Sequence, residues 1–201
     1  MKTDNSATLV ALVGSRLCHD LISPIGAIQN GLELMTMAGA QASPELDLIR
    51  DSCDSAAARI RFFRIAFGTA GNDQHVSARE ITSTLKGLTA NSRIDAQWRL
   101  PDDQPRPLVQ MAFLACLCCE SALPLGGTIH CDKDGARLSV SATAARVKAL
   151  PEAWDILRGG GDVAAMTPDR VQFGLLALLA AERDMPLTIS TGEAGVRIEI
   201  G

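Results

Sequence analysis

Apolar positions near the start of the chain recur in steps of three and four. From Val10 they fall at Val13, Leu17, Leu21, Ile25, Ile28, Leu32 and Met35. This is the spacing of one helical face, and it predicts a long amphipathic helix over roughly residues 6–38. The segment "AGAQASPEL" interrupts the pattern, with Ser43 placed to cap a second helix and Pro44 at its first position, where a missing N–H is not needed. In that helix Leu46, Ile49, Cys53, Ala56, Ile60, Phe63 and Phe67 alternate steps of three and four, an a/d seam, and Gly68 and Gly71 close it. Two long helices joined by about five residues fold back antiparallel. A lone hairpin leaves one flank of each seam wet, so a dimeric four-helix bundle is expected.

After about residue 76 the period changes. "SAREITSTLKGL" reads as a helix, "RIDAQWRL" as a strand and "PDDQPRP" as a proline-rich turn. A buried helix follows at "LVQMAFLACLCCESAL", then a hairpin in "GGTIHCDKDGARLSVSATA" with Asp134 and Gly135 in its turn. The last third predicts a short helix at Pro151–Leu157, a loop "RGGGD", a helix through "PDRVQFGLLALLAAERD" and the strands "LTIST" and "GVRIEI". No internal repeat or low-complexity segment is present. The organisation is a helical hairpin followed by an α+β unit.

Composition adds limits. The chain has 201 residues, 47% hydrophobic and 21% charged, with 3% aromatic and no Tyr, so its cores are aliphatic and Ala-rich. A formal net charge of −4, with no Lys/Arg run interleaved with aromatics, argues against nucleic acid as a partner. No apolar run approaches the ~20 residues of a membrane span. The stretch "MKTDNSATLVALVGSRL" is too polar in front for a signal peptide, and a cytoplasmic protein is expected. Six cysteines, three of them in "CLCC" at 116–119, lack the paired spacing and nearby histidines of a zinc site and read as reduced core thiols, so no metal is expected.

His19 is one of three histidines. Standing two positions from both Leu17 and Leu21, it points about 200° away from each on a helix, off the seam and into solvent. Its outward neighbours Ser15, Arg16, Ser23, Gly26 and Asn30 are small or polar and leave a flat face that another protein can approach. Folding the hairpin about its loop brings His19 level with the part of the second helix that carries Arg59, Arg61 and Arg64, of which Arg61 is turned furthest from the seam. Two readings of these arginines stay open: complements to the helix dipole, or positive charge that steers a phosphate. A neutral imidazole is a nucleophile near neutral pH, and an adjacent carboxylate, here Asp20, can hold the proton on its other nitrogen.

The run "HDLISPIGAIQNGLELM", with an acid directly after His19 and Pro24 five residues on, resembles the H-box of two-component histidine kinases. The longer stretch "SRLCHDLISPIGAIQNGLEL" is similar to the ChpT-type histidine phosphotransferases of alphaproteobacterial cell-cycle phosphorelays. The resemblance implies an α+β chain. Residues 1–70 would be the antiparallel hairpin for dimerisation and phosphotransfer, forming the four-helix bundle. Residues 76–201 would be a degenerate α/β sandwich like a histidine-kinase ATPase domain. Where kinases carry an Asn before the "PxGG" turn, this chain has Cys118 ahead of "LPLGGTI", with Leu114 one turn earlier. A thiol is a poor substitute for an amide in holding hydrated Mg²⁺. "LSVSATAARV" has neither the acid nor the glycines of the adenine loop, and Gly174 stands alone in "VQFGLLALL". "RGGGD" lacks a strand before it and a phosphate-binding helix start after it, and reads as a loop. No ATP and no cofactor are expected in this chain.

For function the resemblance implies a phosphorelay step. His19, with Asp20 beside it, would accept a phosphoryl group from the receiver domain of a hybrid sensor kinase and pass it to the receivers of response regulators. Arg16, Ser23, Asn30 and Arg61 would line the docking face, Mg²⁺ would come with the receiver, and the protein would be a homodimer. Pro24 is assigned a structural role, bending the first helix. Two other readings stay open. An ATP-dependent histidine kinase is opposed by the missing Asn and glycines, and a module that sequesters receivers or kinases without being phosphorylated is opposed by the intact His-Asp-x-x-x-Pro spacing.

Overall fold

A computed structural model describes residues 4–39, 43–71, 73–90, 92–135, 137–161 and 166–201. Within that range the side chains at 4–9, 11–13, 15, 16, 20, 24 and 134 lie outside the description. Helix α1 spans Asp4–Met37, unbroken through Pro24, and α2 spans Pro44–Ala66. The start of α2 follows its sequence. Ser43 Oγ accepts the N–H of Leu46 at 3.3 Å, Pro44 takes the first position, and Glu45 and Asp47 suit the positive end of the helix dipole.

The two helices are antiparallel. Gln29 Nε2 donates to Asp54 Oδ1 at 2.6 Å, Arg50 donates to Thr36 Oγ1 at 3.2 Å, and Gly14 lies against the end of α2. A Cβ at Gly14 would lie 2.7 Å from the carbonyl oxygen of Phe67, so only glycine permits this approach. Cys18 and Leu32 on α1 and Cys53 and Ala57 on α2 are buried. Leu17, Leu21, Ile28 and Met35 of the α1 seam are exposed in the single chain, Leu17 and Leu21 at 57% and 53%, as the open flank of a lone hairpin is expected to be. The seam read on α2 is corrected: Ile49 is exposed, and the buried set is Cys53, Ala57, Ala58, Phe62, Ile65 and Ala66. The reason lies in α2, which packs on α1 and also, through Ala58, Phe62, Ile65 and Ala66, on helices further along the chain. A helix with neighbours on two sides cannot be described by a single a/d seam.

Those later elements are β1 (His75–Val76), α3 (Ala78–Thr89), β2 (Ile94–Trp98), β3 (Gln104–Pro105), α4 (Arg106–Ser121), β4 (Gly127–Asp134), β5 (Arg137–Thr143), α5 (Pro151–Leu157), α6 (Val171–Glu182), β6 (Leu187–Thr191) and β7 (Gly195–Ile200), with a 3₁₀ turn at Pro168–Arg170 before α6. Five strands form a mixed sheet in the order β2-β4-β5-β7-β6, in which β2 and β4 are parallel and the other pairs antiparallel. One face carries Ala96, Ile129, Cys131, Leu138, Val140, Val196 and Ile198, all buried in the same core as α4 and α6. The other carries Asp95, Gln97, Ser141, Thr143 and Arg197, so the sheet alternates apolar and polar with period two. The two-residue ladder of β1 and β3, His75 opposite Pro105, is too short for any pattern to reveal and lies partly within the proline-rich turn.

Gly135 sits at φ +60 in the β4–β5 hairpin, where Asp134 opposes Arg137. The glycines of "RGGGD" stop α5. Gly159 has φ +82 and donates to Ile156 O at 3.0 Å, while Gly160 donates to Asp155 O at 2.9 Å. All six cysteines are free and buried, and Cys116 Sγ lies 3.5 Å from Cys131 Sγ. Cys118 and Leu114 are fully buried, and burial pushes the Cys118 thiol well above the usual range. No helix among the described residues is long and apolar enough to cross a membrane.

The hairpin and the α+β part are joined at the C-terminal end of α2. Phe62 stacks on Phe113 of α4 with ring centroids 4.5 Å apart. Arg106, at the start of α4, donates from Nε to Thr69 O at 2.8 Å and from Nη2 to Arg64 O at 3.0 Å. Gln110 donates from Nε2 to Gly68 O at 2.7 Å, and its Oε1 accepts from Arg183 Nη2 at 2.8 Å. Gln110→Leu strands the buried Gly68 carbonyl and removes one of the two acceptors of the Arg183 guanidinium, which keeps Pro107 O, and is expected to lower stability by about 1–3 kcal/mol. Phe62→Ala is expected to cost about 3–5 kcal/mol. Urea unfolding followed by circular dichroism checks both: one transition with a lowered midpoint is expected, and an unchanged midpoint contradicts the joint.

Candidate functional site

His19 is exposed on α1, beside the buried Cys18, as its spacing predicts. Its surroundings differ from the flat, open face read from the sequence. His19 lies at a cleft of about 580 Å³ whose other walls come from α2, the linker after it and the α+β part. The helices place Ile22, Ile60, Arg61 and Arg64 there, the linker and β1 place Thr69, Gln74 and His75, and α3 and α4 add Glu80 and Arg106. The face is closed in because the joint between Arg106, Gln110 and the end of α2 folds the α+β part against the hairpin beside His19.

Charge in this cleft is mostly positive, with three arginines and one carboxylate among the described lining residues. Arg64 Nη2 approaches Glu80 Oε1 at 3.8 Å across the mouth, with both side chains about half exposed. Glu80 occupies the first turn of α3, which Ser77 Oγ caps by accepting the Glu80 N–H at 3.1 Å. Burial and the nearby Arg64 guanidinium, in that order, pull the Arg106 guanidinium below its usual range, and Glu80 opposes them. Burial raises the Cys18 thiol, and Arg64 draws it part of the way back. Arg64 is therefore within electrostatic reach of the turn that carries His19, of α3 and of α4.

The residues picked from the sequence fare differently. Arg61 shares the cleft with His19. Ser23 is exposed one turn further along α1, and Asn30 is exposed eleven residues, about 16 Å, beyond His19 on the same helix. The side chains of Arg16 and Asp20 lie outside the described residues. Of the three arginines grouped on α2, only Arg61 and Arg64 reach the cleft; Arg59 acts instead on Glu120 of α4, a carboxyl that burial raises and Arg59 partly restores. Arg106, His75 and Glu80 were not picked out. They lie far along the chain from His19 in segments that read as turn and helix, and only the folded joint brings them near it. Among the described residues no group of three or more His, Cys, Asp or Glu is arranged to hold a metal ion.

The arrangement has the parts of a phosphoryl-handling site: an exposed imidazole as nucleophile, and guanidinium groups able to meet a phosphate. Known proteins point the same way. A family model described as the histidine phosphotransferase C-terminal domain matches residues 78–195, more than half of the chain. A curated relative, the protein phosphotransferase ChpT of Brucella abortus (strain 2308), is 29% identical over 197 residues, covering 93% of this chain and 92% of that protein. A solved structure, the 1.7 Å structure of a bacterial phosphotransferase, is 26% identical with a TM-score of 0.67, covering 93% of this chain and 92% of that one. The exposed His19 at an arginine-lined cleft thus sits in a chain that belongs to the histidine phosphotransferase family, as a homologue of the ChpT-type protein phosphotransferases.

Proposed function

We propose that this histidine phosphotransferase of two-component signalling relays a phosphoryl group through His19, taking it from the receiver domain of a hybrid sensor kinase and giving it to the receivers of response regulators. The observation that carries the reading is the exposed His19 at a cleft where Arg61 and Arg64 supply positive charge. In the first step an unprotonated ring nitrogen of His19 attacks the phosphorus of the receiver's phosphoaspartate. The N–P bond forms as the acyl P–O bond breaks, and the electron pair leaves with the aspartate carboxylate. Asp20, next in sequence, is assigned the proton on the other ring nitrogen. The second step runs the same chemistry backwards on a different receiver.

Arg16, Ser23, Asn30 and Arg61 form the docking face in this reading. The Mg²⁺ of the reaction belongs to the receiver's acidic pocket, and this chain is assigned neither metal nor ATP. By analogy with ChpT-type relays the pathway is one of cell-cycle control, set in the cytoplasm, and the six free thiols are in keeping with a reducing compartment. The division of labour follows residues 1–70 for phosphotransfer and 76–201 for support and docking. The test mixes the protein with a receiver carrying labelled phosphoaspartate, with His19→Ala and an ATP-only mixture alongside. Label on the wild type and loss of at least about 100-fold in His19→Ala, with none from ATP, is expected. Binding of the receiver without label transfer contradicts the relay.

A second copy of the chain is proposed to cover the apolar stripe of α1. Leu17, Leu21, Ile28 and Met35 line one flank of that helix, exposed in the single chain, with His19 turned to the other side. Packing two hairpins along this stripe makes the four-helix bundle and leaves both copies of His19 open. Light scattering at micromolar concentration should give a dimer mass for the wild type and a monomer mass for Leu17→Glu combined with Leu21→Glu. A monomeric wild type contradicts the bundle.

A further inference from the structure

Arg64 lines the cleft together with His19, and its partner is a carboxylate. Glu80 holds it at 3.8 Å from α3, and both side chains remain about half exposed. Exposed pairs of this kind are weak, because water screens the charges and two long side chains must be held together. A phosphoryl group in transfer carries more negative charge than one carboxylate and offers several acceptor oxygens, so it forms stronger, charge-assisted bonds to a guanidinium.

Of the other cleft arginines, Arg61 is exposed on α2 and Arg106 is less free to turn. Arg106 has two of its donors committed to the carbonyls of Thr69 and Arg64 at the end of α2. Arg64 makes its contact through the side chain alone, and its backbone carbonyl is the group that Arg106 holds. The base of Arg64 is thus fixed to the α+β part, and among the described residues its guanidinium is paired with Glu80. Arg64 and His19 line the same cleft, and Arg64 acts electrostatically on Cys18, the residue before His19.

We infer that Arg64 is a phosphoryl-binding residue and Glu80 its placeholder: Glu80 holds the guanidinium at the cleft mouth, and an incoming phosphoryl group takes it over as His19 is engaged. This rests on the reading of His19 as the phosphoryl acceptor. Arg64 then stabilises the charge on the non-bridging oxygens during transfer, a contribution that is larger in the transition state than in the docked complex. A residue that merely closed the helix dipole would have no such preference.

Single-turnover transfer from a phosphorylated receiver domain, measured over a range of receiver concentrations, tests this. Arg64→Ala is expected to lower the rate at saturating receiver roughly 10- to 100-fold, with half-saturation within about twofold of the wild type, and Arg64→Lys to recover part of the loss. Glu80→Gln is expected to raise the saturated rate, and Glu80→Gln added to Arg64→Ala is expected to change nothing further, since the placeholder has lost its client. Thermal melting of each variant within a few degrees of the wild type excludes unfolding as the cause. If the wild type takes the phosphoryl group and Arg64→Ala takes it as fast, this inference falls and the His19 reading stands. If the wild type takes none, both fall. A slower Glu80→Gln, or an independent effect of it in the Arg64→Ala background, also overturns the placeholder role.

Discussion

The C-terminal end of α2 is a helix terminus whose last carbonyls have no partner within the helix, and the joint between hairpin and sheet depends on how they are met. Arg106 takes those of Arg64 and Thr69, and Gln110 takes that of Gly68 and is itself held by Arg183 from the end of α6. The Gly68 carbonyl is met in a buried bond, where leaving it unpaired would cost about 1–3 kcal/mol, while those of Arg64 and Thr69 are met at the exposed wall of the cleft. Donors from α4, one of them held in turn by Arg183, join hairpin and sheet at this point, and the Phe62–Phe113 stack packs α2 on the same helix.

The same joint makes the site. His19 is set by α1, the arginines by α2 and Glu80 by α3, and their mutual placement follows from where α2 ends. Gly14 contributes by letting α1 pass close to Phe67. The second unit buries Leu114 and Cys118 in its core and contributes Arg106 and Glu80 to the cleft that His19 lines. A sheet-and-helix scaffold here serves as a wall for an imidazole on another element.

Much of this was legible in the amino-acid pattern, for local reasons. Ser43 followed by Pro44 marks a helix start, Pro151–Leu157 has its proline at the first turn and glycines after it, and Asp134-Gly135 marks a hairpin. His19 reads as exposed because helical periodicity alone settles it. The rest depends on distant partners. Arg106 meets Arg64 across 42 positions of chain, and no local period encodes that. The two-sided burial of α2 was misread as one seam because its second face, Ala58, Phe62, Ile65 and Ala66, serves neighbours that a hairpin by itself does not have. Arg64 was visible as a charge near the helix end, but its two open readings could be weighed only once Glu80 and Cys18 were seen beside it.

The most direct measurement locates the phosphoryl group. The chain has three histidines, His19, His75 and His130, and two of them line the cleft. Peptide mapping by mass spectrometry at alkaline pH, after brief exposure to a phosphorylated receiver, assigns the modified residue. The account predicts an acid-labile phosphoryl group on His19 and on neither of the others. Phosphorylation on His75, with His19 unmodified, would contradict it.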